Sequence, residues 1–294
     1  VTLVHAVNKI KVPSESEILS RLFPGSKPVN LKVIGFNFPS SFKFPGHYFL
    51  NSYHYSELVY KALLENDINK FDFIYAKGFS AWRLLKEKKK NKNLPKVGVN
   101  FHGFEMWQIA PSFKSYLIQF LFRPFVKSNV LNADYAFSYG AKITTIILSL
   151  GLDKNKIIEI PSAVDKSWIR KTNIFSNKKL KFLFVGRYER RKAIEEINSA
   201  IHKINFLNLD VEFHFIGPIP ASKKIEFNNV FYYGKLTDSS QIISIIDSCD
   251  VLLCPSFSEG MPNVILEAMS RGMAIIGSNV GAVSLIVDKS NGFL

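Results

Sequence analysis

The chain has few cysteines and no long apolar segment, and each of these absences excludes a class of protein; no signal peptide is visible at the start of the sequence. Its two cysteines, Cys249 and Cys254, are too few for a disulfide framework or a thiolate metal site, and their apolar surroundings predict free, buried thiols. No uninterrupted apolar run approaches the roughly 20 residues that span a bilayer. With 294 residues and 47% hydrophobic content, the chain can bury two cores. We therefore expect a globular, cytoplasmic protein.

Several catalytic motifs are also missing. No two aspartates stand with a single residue between them, and the six histidines are scattered. There is no Gly-rich loop ending in Lys-Ser or Lys-Thr, and no serine elbow. Nothing in the sequence therefore requires a metal ion or a bound cofactor.

Acidic residues are scarce relative to basic ones, with 24 Asp and Glu against 38 Lys and Arg, a net charge of +14. Such a charge predicts attraction to anions, either phosphorylated substrates or an anionic membrane. The segment 112–132 combines aromatic and aliphatic residues with Lys114, Arg123 and Lys127. It fits a helix on the inner face of a membrane, although Pro124 interrupts it, and it equally fits a helix that covers a sheet. No nucleic-acid signature accompanies the charge, so we expect no nucleic-acid partner.

Strand and helix patterns alternate along the chain, which is typical of α/β proteins with parallel sheets. We predict two doubly wound, Rossmann-like domains, at residues 1–165 and 180–294, joined by a polar linker at 166–179. Residues 39–52 look irregular. Strands are predicted at 2–6, 31–36, 71–76, 96–101, 135–138 and 156–160, and near Phe182, Glu212, Val230, Val251 and Ala274; helices are predicted at 56–66, 81–90 and 141–150, and near Ala193, Gln241 and Asn263.

Two glutamates with seven residues between them, Glu259 and Glu267, are the most informative feature that is present. Glu259 follows an apolar strand in a tight loop, and Glu267 lies about a turn and a half inside the next helix. Pro262 suits the first position of that helix and Gly272 its end. Because a helix N-terminus attracts phosphate, this arrangement predicts an anionic ligand beside two acids, rather than two surface carboxylates.

A second group of charged residues follows the predicted strand 182–186. Arg187 comes directly after it, and Lys192 stands five residues on, at the start of an amphipathic helix. Cations at a helix N-terminus are disfavoured by its dipole unless they meet an anion. An arginine fork and a lysine charge suit a diphosphate, so we interpret the pair as a phosphate site rather than as ordinary helix-start cations.

Together these residues resemble the C-terminal half of a family-four glycosyltransferase of the GT-B fold, in which the two domains face each other across a cleft. The family pattern has Gly-Arg plus Lys after one strand and the two-glutamate motif (E-x7-E) after another. The resemblance is strongest from residue 181 onward, and it continues through 272–282 and 291–294. Looser matches in the first half lie at 100–105, 130–138 and 158–165.

The resemblance implies a role for each matching residue. Arg187 and Lys192 would neutralise the diphosphate of a UDP-, GDP- or ADP-sugar, Glu259 would contact the transferred sugar, and Glu267 would hold the ribose. His102 would lie near the reaction centre on the acceptor side, although it also fits a satisfied loop histidine. Backbone contacts to the nucleotide-sugar are implied for Gly186, Gly260, Met261, Pro262 and Asn263.

The function implied is transfer of a sugar from a nucleotide diphosphate to a glycan or lipid-linked acceptor in cell-envelope polysaccharide biosynthesis, with retention and without metal. Relatives carry a Gly-rich loop after the first strand, whereas Ala6–Pro13 contains no Gly. This departure keeps open an inactive sugar-nucleotide-binding module, and an epimerase or phosphorylase on the same fold is a further alternative. Relatives also continue with helix beyond the position of Leu294, so we expect a truncated C-terminal end.

Overall fold

The computed structural model describes residues 2–7, 14–16, 32–39, 46–170 and 179–294. Contacts between Cα atoms divide the chain into two compact units, one of Val1–Phe101 with Val126–Ala136 and the other of His102–Phe125 with Phe137–Leu294. Most of the predicted Gly-less loop 6–13 and most of the predicted linker 166–179 lie outside the described residues. The division into domains at that linker therefore stays a prediction.

The first unit begins with two short parallel strands and a long helix. Strands β1 and β2 pair in register from Thr2↔Lys32 to Val7↔Asn37. The helix starts at residue 47, so the prediction of irregular structure over 39–52 is wrong for its last six residues. Its inward side carries small polar residues such as Ser52 and Ser56, which hides the usual apolar periodicity. The elements are β1 Thr2–Val7, β2 Lys32–Asn37, α1 His47–Glu65, β3 Phe73–Lys77, α2 Trp82–Lys88 and β4 Lys96–Asn100.

A four-stranded sheet has the order β3-β4-β5-β6, with β4 parallel to both β3 and β5. Helix α3 continues through Pro124 instead of stopping there, which corrects the predicted interruption. Val126 and Val130, both fully buried, anchor the turns after the proline, and we infer that their packing offsets the backbone hydrogen bond that proline cannot make. The elements are α3 Phe113–Asn132, β5 Tyr135–Ser138, α4 Lys142–Ser149 and β6 Ile157–Glu159.

The second unit contains a six-stranded sheet of the order β12-β11-β10-β7-β8-β9, in which every pair is parallel. Counted from β7, this is the 3-2-1-4-5-6 order of the Rossmann fold, which reverses direction between β7 and β10. The elements are β7 Leu180–Val185, α5 Ile194–Phe206, β8 Val211–Ile216, β9 Val230–Gly234, α6 Ser239–Asp247, β10 Val251–Cys254, α7 Asn263–Ser270, β11 Ala274–Gly277 and β12 Gly292–Phe293.

Both faces of this sheet are covered, as a doubly wound arrangement requires. Successive strand residues point to opposite faces: Leu183 packs in a cluster with Ile265 of α7, and Phe184 packs in another with Ile201 of α5. Cys249 and Cys254 are free and buried, as predicted, and burial raises the pKa of each thiol to about 11. The prediction of an α/β fold with parallel sheets is confirmed.

None of the helices within the described ranges combines the length and the apolar content needed to cross a membrane.

Candidate functional site

The reversal in strand order brings two loops side by side, 186–193 after β7 and 255–262 after β10. The backbone N–H of Phe257 donates to the carbonyl of Arg191 at 2.8 Å, which joins the loops directly. Behind them, Gly217 has φ +141°, and a Cβ there would lie 1.8 Å from the carbonyl oxygen of Gly186. Ligands of open parallel sheets bind at such a reversal, outside the carboxyl ends of the strands.

The carboxylate of Glu259 lies at the centre of this site, and the residue as a whole is only 5% exposed. The ammonium group of Lys192 donates to its Oε1 at 2.5 Å, and an amino group of Arg191 donates to its Oε2 at 3.3 Å. Lys192 was predicted at the start of α5, but it lies in a 3₁₀ turn before that helix. Ala193, between the turn and α5, adopts a left-handed φ of 58° and separates them. A buried carboxylate is stable only with such partners.

Sequence reasoning missed Arg191, which has more partners than the two cations it selected. Its guanidinium also contacts Glu189 at 2.8 Å and Glu105 at 3.8 Å. Burial acts to lower the pKa of Arg191, but the three carboxylates together outweigh burial and raise it. Burial raises the pKa of Glu105, against the pull of Arg191. The run Arg190-Arg191-Lys192 was the available sequence signal for a cation at this site, but it does not indicate which of the three side chains points toward Glu259.

Arg187 occupies a different position from Lys192. Its side chain is 74% exposed and contacts Glu189 at 2.8 Å. Within the part of the chain that the structure describes, Arg187 forms no ion pair with Glu259. Glu189 therefore holds Arg187 and Arg191 at once. Three cations at this site are balanced by three carboxylates, so an incoming anion would compete with carboxylates for the cations.

Gln108, which sequence reasoning also missed, fixes the backbone around Glu259. Its amide oxygen accepts from the N–H groups of Glu259 at 3.3 Å and Gly281 at 3.0 Å. Its amide nitrogen donates to the carbonyl of Glu259 at 2.6 Å and to that of Gly103. One side chain thereby joins three loops. No sequence pattern could indicate this, because Gln108 and Glu259 are 151 positions apart.

Glycines allow these loops to approach one another. A Cβ on Gly260 would lie 2.7 Å from the carbonyl oxygen of His102, and a Cβ on Gly281, where φ is +54°, would lie 2.3 Å from that of Glu259. The His102 ring nitrogen Nδ1 is 2.9 Å from the hydroxyl of Tyr139. The structure therefore places His102 in a loop that packs directly against Gly260, next to Glu259.

The second glutamate lies on α7, whose first helical residue is Asn263. Pro262 is the N-cap with an extended ψ of 115°, so its predicted place as first helical residue is wrong by one position. Met261 is buried, and Asn263 accepts a hydrogen bond from the Ser162 hydroxyl at 2.6 Å. Glu267 is half-buried, and burial raises its pKa. No other described side chain forms a hydrogen bond or an ion pair with its carboxylate.

The C-terminal part of the chain matches a family model. Residues 179–294 match the family model described as "Glycosyl transferases group 1". An uncharacterized 41.2 kDa protein in the cps region of Klebsiella pneumoniae is 28% identical over 242 residues, which cover 77% of this chain and 65% of that protein. An N,N'-diacetylbacillosaminyl-diphospho-undecaprenol alpha-1,3-N-acetylgalactosaminyltransferase of Campylobacter jejuni is 27% identical over 210 residues, which cover 65% of this chain and 54% of the enzyme. The chain thus spans between half and two thirds of the length of these relatives.

A solved structure shows the fold. HepE of Anabaena, in complex with UDP and glucose, superposes with a TM-score of 0.60 at 16% sequence identity and covers 95% of this chain and 74% of its own. At that identity the likeness establishes architecture alone. The chain has the GT-B fold, and its residues 179–294 match the group 1 glycosyl transferase model.

Proposed function

We propose that the protein transfers a sugar from a nucleotide-diphosphate donor to a glycan or lipid-linked acceptor, with retention of configuration and without a metal ion or cofactor. One observation carries this proposal: Lys192, Arg191 and Glu259 converge at the reversal of a Rossmann-type sheet within the group 1 domain. Cations there suit a diphosphate, and a neighbouring carboxylate suits sugar hydroxyls.

The donor would be held by residues on both loops. Arg187 and Lys192 would neutralise the diphosphate as the leaving group gains charge, and a positioned donor of this kind lowers a barrier by about 3 kcal/mol. Glu267, which has a half-buried carboxylate, would accept hydrogen bonds from ribose hydroxyls. Glu259 would contact the sugar, along with the backbone of 260–263 and of Gly186. UDP-, GDP- and ADP-sugars are all candidates, and the bound UDP and glucose of HepE favour UDP for the first trial.

The acceptor proposal rests on the relatives. The name of the Campylobacter enzyme specifies a diphospho-undecaprenol acceptor, which favours a lipid-linked glycan and a place at the inner face of a membrane for this chain. His102 would lie beside the acceptor hydroxyl. Within the described ranges, no group of three or more His, Cys, Asp or Glu is placed to hold a metal ion, and metal independence is part of the proposal.

Thermal stabilisation by UDP, GDP and ADP, alone and with sugars attached, tests the donor site. We expect one nucleotide to raise the melting temperature by several degrees, because a ligand that binds only the folded state stabilises it. The shift should be lost in Arg187→Ala and in Lys192→Met and kept in Lys89→Ala, which changes an exposed lysine. No shift with any nucleotide, or a shift unaffected by these variants, would contradict the proposed site.

Transfer is tested with the donor so identified. Product formation from a radiolabelled sugar donor and a membrane-lipid extract, followed by NMR of the new anomeric carbon, would show both transfer and its stereochemistry. Inversion would refute retention. Binding without any turnover would favour the inactive binding module.

A further inference from the structure

The first turns of α3 have the reverse of the usual polarity of a surface helix. Its inward side carries Ser115 and Gln119 together with Phe122, all partly buried. The side exposed to solvent is apolar and includes Phe113 at 76% and Leu121 at 63% exposure. The residues of this side, called here the outer face of α3, are Phe113, Tyr116, Leu117, Phe120, Leu121 and Pro124.

The spacing of these residues makes the outer face continuous. Counted from Phe113, they stand at offsets of three, four, seven, eight and eleven, which repeat along one side of a helix with 3.6 residues per turn. Ile109, in the preceding loop, is also 59% exposed. A continuous apolar surface that is exposed to solvent indicates a binding partner.

Contacts of Arg123, at the margin of the outer face, hold the helix in this orientation. The Arg123 side chain donates to the carbonyl of Met106 at 2.8 Å, and its guanidinium lies 6.0 Å from the ring centre of Trp107 and 5.9 Å from that of Tyr116. The helix could turn its apolar side inward only by breaking these contacts.

The charge around the outer face selects the partner. Between Met106 and Ala133 the sequence contains no Asp or Glu, while Lys114, Arg123 and Lys127 lie on α3. Lys114 falls at one margin of the apolar side and Arg123 at the other. A second copy of the chain would bring the same cations against these, which is unfavourable in a two-fold interface. An apolar band with cations at its margins instead suits a layer of anionic headgroups over acyl chains.

We propose that the outer face of α3 lies on the surface of an anionic lipid bilayer, with its aromatic and leucine side chains in the headgroup region. The relevance of this surface to catalysis rests on the proposed function, since a lipid-linked acceptor is presented there. The binding itself does not depend on that function, because no donor-site residue belongs to the outer face.

Co-sedimentation with vesicles tests the proposal. We expect the chain to sediment with phosphatidylcholine vesicles that contain phosphatidylglycerol, to bind pure phosphatidylcholine vesicles more weakly, and to lose part of the binding at high salt. The double variant Leu117→Ser/Leu121→Ser should weaken partitioning at least about tenfold, since burial of one leucine alone accounts for that much. The control Phe206→Ser/Leu207→Ser changes residues that are 86% and 64% exposed at the end of α5, and it should bind as the wild type does.

Three results would overturn the proposal: no sedimentation with either vesicle, equal loss in both double variants, or a dimeric mass by light scattering that the α3 variant reduces to a monomer. The nucleotide-induced melting shift is measured on the same variants. If the wild-type chain binds vesicles but its melting temperature does not change with any nucleotide, the donor site is refuted and the membrane surface is supported. If a nucleotide raises the melting temperature but the chain does not bind vesicles, the membrane surface is refuted and the donor site is supported.

Discussion

Glu189 links the two arginines of the candidate site and is therefore the residue whose removal should help ligand binding. It holds Arg187 and Arg191 at 2.8 Å each, so a diphosphate that reached for either would compete with it. Partly exposed ion pairs contribute about 0.2–1 kcal/mol. We expect Glu189→Gln to tighten binding of the preferred nucleoside diphosphate by a factor of about 1.4 to 5, measured by titration calorimetry.

Glu226→Gln is the matched control, because it removes one negative charge at an exposed position outside the site. It should leave the affinity nearly unchanged, since exposed charges beyond a Debye length are screened. Weaker binding in Glu189→Gln would show that Glu189 positions Arg191 for the ligand and does not compete with it.

Glu267 should stabilise the complex with the nucleotide and lower the stability of the free protein. Burial raises its pKa, so between its ordinary pKa and the raised value the folded state binds more protons than the unfolded state. Stability therefore falls as pH rises through the raised pKa. We expect Glu267→Gln to melt at a higher temperature than the wild type at neutral pH, with the difference vanishing below about pH 4.

The same variant should lose the nucleotide-induced shift, because an amide presents one acceptor oxygen to two ribose hydroxyls where a carboxylate presents two. Melting curves across pH, with and without nucleotide, measure both effects. A variant less stable than the wild type at neutral pH would show that the carboxylate makes a favourable contact in the free protein.

At the scale of elements, the sequence predicted strands better than it predicted the ends of helices and the loops between them. Each buried strand is a short apolar run, and every predicted strand has a counterpart in the structure. The errors have local causes. Helix α1 presents small polar residues inward, Pro262 takes an extended ψ, and Ala193 takes a left-handed φ that separates Lys192 from α5. The periodicity of apolar residues predicts none of these three features.

The loops around Glu259 depend on contacts that are remote in sequence. Glu259 and Lys192 could be found because each lies in the loop that follows a strand, at the same edge of the sheet. Gln108 could not, because its role comes from four hydrogen bonds to backbone groups of three separate segments. Local motifs thus predicted the charged groups, and the structure was needed to find what positions them.

Gln108→Glu should test this arrangement of loops. The substitution keeps the shape but replaces the donating nitrogen with an oxygen that faces the carbonyls of Gly103 and Glu259. Leaving such acceptors unpaired costs about 1–3 kcal/mol. We expect a lower urea midpoint and weaker nucleotide binding, measured by denaturation and by calorimetry on the same samples.

Gln241→Glu provides the control, since it makes the same change at an exposed position of α6. It should leave both the urea midpoint and the affinity close to those of the wild type. Equal stability in Gln108→Glu and the wild type would mean that the three segments hold their positions without the amide.

For the whole molecule, the net charge of +14 has opposite consequences for folding and for ligand binding. Self-repulsion among 38 basic residues opposes the compact state, whereas the same positive field attracts an anionic nucleotide. Salt screens both effects, because the Debye length falls from about 30 Å at 0.01 M to about 8 Å at 0.15 M. We therefore expect sodium chloride to raise the melting temperature of the free protein over this range and to reduce the additional shift caused by nucleotide.

The salt dependence of the melting temperature, measured with and without nucleotide, distinguishes the effect of the net charge from that of the ion pairs around Glu259. If salt acted only on the ion pairs around Glu259, it would weaken them, and the free protein would melt at a lower temperature as salt increases. A rise in the free protein together with a smaller nucleotide shift requires long-range repulsion across the chain and an anionic ligand at the cationic loops. Repeating the titration with Lys192→Met should preserve the rise of the free protein, since one charge of fourteen is removed, and abolish the nucleotide-dependent part.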